Sequence, residues 1–212
     1  MSMVKMTMHQ LLALLKRYDD RVDTAINSLN VIAFSESQVS DEDAVKTVSE
    51  LTSSYDSATH LIDNYYALEA ARIKSNAETI VWIGGVKYTV AEAIKRKHLI
   101  NKEKMLINEM AHSWARAKTA YDRAVEQNNK LADTVYNSTI GQTQNPSSEA
   151  IEVAKRAREA FLETHKPTLI DPLDIETKIK DLKKSIEDFE TNVDAELSVS
   201  NALTTVEVEL KD

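Results

Sequence analysis

The 212-residue chain carries 26 Lys and Arg against 34 Asp and Glu, a net charge of −8, with three glycines, three prolines and no cysteine. These figures exclude disulfides, thiolate metal sites and thiol nucleophiles, leave too few glycines for a phosphate-cradling loop, and argue against duplex nucleic acid as a partner. No apolar run approaches the ~20 residues of a membrane span, and the methionine-rich amino terminus lacks a signal-peptide core, so the expectation is a cytoplasmic protein without membrane contact.

Taken in chain order, Leu11, Leu15, Tyr18, Val22 and Ile26 recur at helical spacing and predict a first helix from about Met6 to Asn27. Ser40 followed by three acids starts a second helix. Its seam, Ala44, Val48, Leu51, Tyr55, Ala58, Ile62 and Tyr65, alternates steps of four and three to about Lys74 and calls for a covering helix. Residues 79–90, Thr-Ile-Val-Trp-Ile-Gly-Gly-Val-Lys-Tyr-Thr-Val, then read as a β-hairpin, because a Gly-Gly pair adopts positive φ at both turn positions without strain.

Thr89 and Glu92 form a capping box that opens a long third helix carrying Leu99, Leu106, Met110, Tyr121, Leu131 and Val135. Residues 138–148 are expected to form a loop. A short helix is expected from Ser148 to about Thr164, ended by Lys166-Pro167, and another from near Asp171-Pro172 or Asp174 with Ile175, Ile179, Leu182, Ile186, Phe189 and Val193 on one seam. Residues 204–210 alternate like a strand, and since a lone hairpin is marginal in water they are expected to join it as a third strand. The predicted architecture is a mainly α, elongated bundle of coiled-coil-like hairpins with a small β element, a single domain over 1–212.

Chemistry-bearing residues gather around the hairpin. Arg72, Lys74 and Asn76 precede it, Trp82, Lys87 and Tyr88 lie in its strands, and Lys95, Arg96, Lys97 and His98 follow. Residues 85–130 carry ten basic against five acidic side chains, +5 in a chain that elsewhere totals −13. Aromatic faces stack on bases while guanidinium and ammonium groups bind phosphate, a mixture suited to a nucleotide. The same residues also read as strand side chains packed on helices beside solvated charges. Glu109 and His112 share one helix face, as in di-iron bundles, but the spacing occurs once. No triad or nucleophile elbow is present, so no catalytic residue, cofactor or metal is assigned and the expectation is a protein that is not an enzyme.

Three stretches carry a resemblance: residues 75–79, Ser-Asn-Ala-Glu-Thr; residues 85–96, Gly-Val-Lys-Tyr-Thr-Val-Ala-Glu-Ala-Ile-Lys-Arg; and residues 194–205, Asp-Ala-Glu-Leu-Ser-Val-Ser-Asn-Ala-Leu-Thr-Thr. In these the chain resembles a septicolysin-like family of small helical bacterial and phage proteins, from about residue 60 onward, with the segment 138–166 departing from the shorter family pattern. The resemblance extends to phage sponge proteins that sequester the cyclic nucleotides of CBASS immunity. It implies a homo-oligomer that binds a cyclic dinucleotide or related signal without cleaving it, in the host cytoplasm if phage-encoded. The candidate ligand-binding residues are then Arg72, Asn76, Trp82, Lys87, Tyr88, Arg96, Lys97, Asn201 and Thr204. The alternative expectation is a structural or adaptor oligomer that uses the hairpin for assembly.

Overall fold

A computed structural model describes residues 2–142 and 145–211. The protein is mainly α, with five helices and two small antiparallel sheets among the described residues: β1 (Ser2–Thr7), α1 (Met8–Asn27), α2 (Asp41–Glu78), β2 (Ile80–Ile83), β3 (Val86–Thr89), α3 (Val90–Ile140), α4 (Ser148–Thr164), α5 (Ile175–Leu203) and β4 (Thr205–Leu210). The chain divides into two compact units, one made of the residues up to Leu99 with those from Glu187 onward, the other of Ile100–Ile186.

In the first unit, the carboxyl-terminal strand corrects the sequence expectation. β4 does not extend the hairpin; it pairs with β1, in register from Ser2↔Leu210 to Thr7↔Thr205, while β2 and β3 form a separate two-stranded sheet. The physical reason lies in the first residues. Val4 and Met6 lie on either side of Lys5 and so share one strand face, and Thr7 with Gln10 forms a capping box that moves the start of α1 to Met8. The residues ahead of that cap are free to be a strand.

Strand alternation then turns Met6, Val208 and Leu210 inward, where they form one core with Met8, Leu11, Leu15 and Tyr18 of α1 and Leu68 of α2. β4 is fastened at its far end by Asn64, a buried side chain on α2. Its amide donates to the Lys211 carbonyl at 3.0 Å and its oxygen accepts from the Lys211 amide at 2.7 Å. One side chain thus satisfies both backbone groups as a neighbouring strand would.

The regular seam on α2 is covered only in part. Ala58 is buried and Leu51, Ile62 and Tyr65 are half-buried, but Val48 and Tyr55 are 62% and 55% exposed. α1 is 20 residues long and α2 is 38, so α1 cannot reach the first turns of α2.

In the second unit, Ile107, Ala132, Ala154 and Ile186 are buried. Polar ties between elements are Trp114 Nε1 to Glu176 at 3.2 Å, Arg158 Nε to Asp133 at 2.8 Å, and the Asn128 amide to the His165 carbonyl. The short fourth helix falls where its spacing predicts, and Ser147 caps it by accepting from the Ala150 amide at 3.2 Å. Asp171, ahead of α5, accepts from the amides of Leu173 at 3.2 Å and Ile175 at 2.9 Å.

Candidate functional site

The hairpin sets the geometry of the site. Gly84 and Gly85 take φ of +58° and +78°, the positive values at both central positions that a tight two-residue turn requires. Such a turn fixes the register, and Trp82 lies directly opposite Lys87 while Val81 lies opposite Tyr88. Because alternate side chains point to opposite faces, Trp82 and Tyr88 cannot share a pocket on one hairpin.

The inner face carries Val81, Ile83 and Tyr88. The Tyr88 ring meets Phe189 of α5 edge-on, with centroids 5.6 Å apart. Arg96, two turns into α3, donates from Nη1 to the Tyr88 hydroxyl, and its guanidinium lies 4.6 Å from the centroid of the Phe189 ring. Tyr88 and Arg96 are thereby engaged in fastening the hairpin to α3 and α5. The turn itself sits close to α5: a Cβ on Gly84 would stand 3.0 Å from the Asp188 Cβ.

The outer face is different in kind. Trp82 is 61% exposed and Ile80 42%. Lys87 is exposed as well and, as the cross-strand neighbour of Trp82, stands within reach of the indole. Two bulky apolar side chains and one cation thus share the face turned away from Phe189.

The other predicted residues are dispersed. Lys97 pairs with Asp194 of α5. Arg72 pairs with Glu69 one turn earlier on α2, 2.6 Å from Nη2. Asn76 and Asn201 are half-buried on α2 and α5. Thr204 lines a cleft of about 390 Å³ with Ala71, Lys74, Ser75, Glu78, Thr79, Thr205, Val206 and Glu207. The nine residues therefore occupy several places in the first unit, and only Trp82 and Lys87 form an adjacent pair on the outer hairpin face.

Three contributors escaped sequence reasoning. Phe189 reads as one more seam residue, and its approach to Tyr88 has no sequence signal. Ser75 and Thr79 belong to the first resembling stretch and share a hydroxyl contact of 3.4 Å at the cleft.

The join from hairpin to α3 behaves as the sequence predicts. Glu92 accepts from the Thr89 amide at 2.7 Å, and the Thr89 hydroxyl accepts from the Glu92 amide at 3.1 Å. The backbone hydrogen bond from Thr89, followed by that from its side chain, holds the Glu92 carboxyl below its ordinary pKa. On α3, Glu109 accepts from Arg116 at 3.1 Å, and no group of three or more His, Asp or Glu side chains placed to hold a metal ion occurs among the described residues. Among those residues, no helix is long and apolar enough to cross a membrane.

Comparison with known proteins returned no match: no family model, no curated protein and no solved structure matches this chain.

Proposed function

We propose that this chain is a non-enzymatic structural or adaptor protein that assembles with copies of itself through the outer face of its β-hairpin. The observation that carries the reading is the exposed apolar pair of Ile80 and Trp82 on the outer face of a hairpin whose inner face is anchored by Phe189. A rigidly mounted tryptophan offers large contact area at small entropic cost, as interface anchors do. β2 also has a single strand partner and carries no charge or proline, features that keep natural sheet edges from pairing.

A second reading rests on the Trp82 and Lys87 pair: sequestration of a cyclic dinucleotide or related signal, with the indole stacking on a base and the ammonium facing a phosphate. It ranks second because Arg72, Tyr88, Arg96 and Lys97 already have protein partners.

The test is the mass of Trp82→Ser in solution, alongside a thermal-shift panel of cyclic di- and trinucleotides. Assembly predicts that the wild-type oligomer falls to smaller species in the variant; an unchanged subunit count overturns it. Sequestration predicts a stabilisation by ligand that Trp82→Ser abolishes, weakened by salt, with intact ligand released on denaturation.

A further inference from the structure

The two-residue turn decides which backbone groups are used up inside the hairpin. Beside such a turn the flanking residues, Ile83 and Val86, exchange both peptide hydrogen bonds, and every second pair does so from there on, which makes Val81 with Tyr88 the next bonded pair. Two observations fix the same phase. The Val90 amide donates to the Thr79 carbonyl at 2.9 Å, continuing the series, and the Thr89 amide turns out of the ladder to donate to Glu92 at 2.7 Å. The peptide groups of Ile80 and Trp82 therefore point away from β3 along the open edge of β2, and no described residue bonds to them.

The same two residues carry the exposed apolar side chains of the outer face, while Val81 and Ile83 between and beyond them are buried. Ile80 and Trp82 thus present unused donors, unused acceptors and uncovered apolar surface together.

We infer that β2 pairs antiparallel with β2 of a second copy about a two-fold axis at Val81, joining two hairpins into one four-stranded sheet. This rests on the assembly proposed above and adds to it the edge, the register and the symmetry. The register names the occupant. With Val81 opposite itself, Ile80 of each copy faces Trp82 of the other as a hydrogen-bonded pair, with Cα atoms about 5.5 Å apart, so both amides and both carbonyls on each edge find partners. Sliding the strands by two residues either way leaves the peptide groups of Ile80 or Trp82 without a strand residue opposite. In the two-fold register each indole also lies against an isoleucine of the other copy on the same face, an aromatic with β-branched pair of the kind that stabilises sheets. Charge agrees: β2 carries none, and the two Lys87 side chains fall on the outer strands, at least roughly 14 Å apart at ordinary strand spacing. The contact is isologous, so it closes at two copies, and its short edge makes it a concentration-dependent one.

The experiment follows the full wild-type chain from dilute to concentrated solution, with sedimentation velocity for the subunit count and NMR for amide exchange. The Ile80 and Trp82 amides are expected to exchange about tenfold or more slowly in the dimer than in the monomer, while those of Val81 and Ile83, bonded to β3 in both states, change little. In a mixture of labelled and unlabelled copies, an isotope-filtered Overhauser spectrum is expected to connect the Trp82 indole of one copy to the Ile80 methyls of the other. Ile80→Pro removes an outward N–H and leaves the ladder to β3 intact, and Thr79 before it already has the extended backbone, φ −77° and ψ 129°, that a following proline needs. It is expected to weaken dimerisation about tenfold or more beyond Ile80→Ala, which loses the side chain alone. Exchange at Ile80 and Trp82 that ignores concentration, no connection between copies, an odd subunit count, or Ile80→Pro no weaker than Ile80→Ala overturns the edge pairing. If Trp82→Ser nonetheless lowers the mass, assembly through the hairpin face stands without it. A chain that stays monomeric at every concentration, or a subunit count that Trp82→Ser leaves unchanged, overturns both.

Discussion

At Gly84 and Gly85 the same residue type meets two different demands. Both need positive φ, but a Cβ at Gly84 would also press on α5, with the Asp188 Cβ at 3.0 Å and its carbonyl carbon at 3.4 Å, whereas a Cβ at Gly85 meets nothing within 4 Å. Alanine at Gly85 should therefore cost the ~1–2 kcal/mol of a left-handed residue, and alanine at Gly84 about 1 kcal/mol more because α5 must give way. Urea denaturation of the two variants checks the order; equal losses would mean that the turn does not rest on α5. Glu92 makes a prediction of another kind. Its folded pKa is depressed, so its contribution to stability is present at neutral pH and down to the ordinary glutamate pKa, and is lost as pH falls through the lower folded value. The titration midpoint of Glu92, followed by carboxyl carbon NMR, should rise toward the ordinary value in Thr89→Val, which removes the side-chain hydrogen bond; an unchanged midpoint would show that this bond has no effect. Both features are legible in the sequence, because a Gly-Gly pair between β-branched runs and a Thr-x-x-Glu before a helix are local signals whose meaning does not depend on distant residues.

Elements are legible to the extent that their periodicity is their own. The helices follow from apolar spacing, including α4, whose bounds match the expectation at both ends. The alternation of residues 204–210 marks a strand, but its partner is a matter of tertiary contact: β1 lies at the other end of the sequence, and its Met and Lys residues carry little strand preference. Thr7 and Gln10 are the signal that could have separated β1 from α1. The candidate site was legible as a neighbourhood and not as a constellation, since the strand period places Trp82 and Tyr88 on opposite faces while Phe189 and Asp194, remote in sequence, decide which of its cations are engaged. The Asn64 clamp belongs to this scale because it joins α2 to β4. Replacing Asn64 with Ala leaves two backbone groups of Lys211 without their protein partner and should lower stability by about 2 kcal/mol. Hydrogen exchange at the Lys211 amide should quicken in the same variant; an unchanged rate would show that the strand end is held by the sheet alone.

For the molecule as a whole, composition announces the helices and the uneven charge but not how the chain is divided. The break after Leu99 lies inside α3 and that before Glu187 inside α5, so neither falls at a glycine, a proline or a polar linker that a sequence reading could mark. The charge asymmetry has a similar history. Sequence shows a basic segment in an acidic chain; the fold adds that the acidic first turns of α2 stay uncovered, because α1 cannot reach them. The pairing of β1 with β4 imposes an order of events on synthesis. β1 is made about two hundred residues ahead of its partner, which follows roughly ten to forty seconds later at ordinary elongation rates. Throughout that interval Met6, Met8 and Leu11 await the cover that Val208 and Leu210 will bring, and a nascent chain in that condition is a natural client for ribosome-associated chaperones.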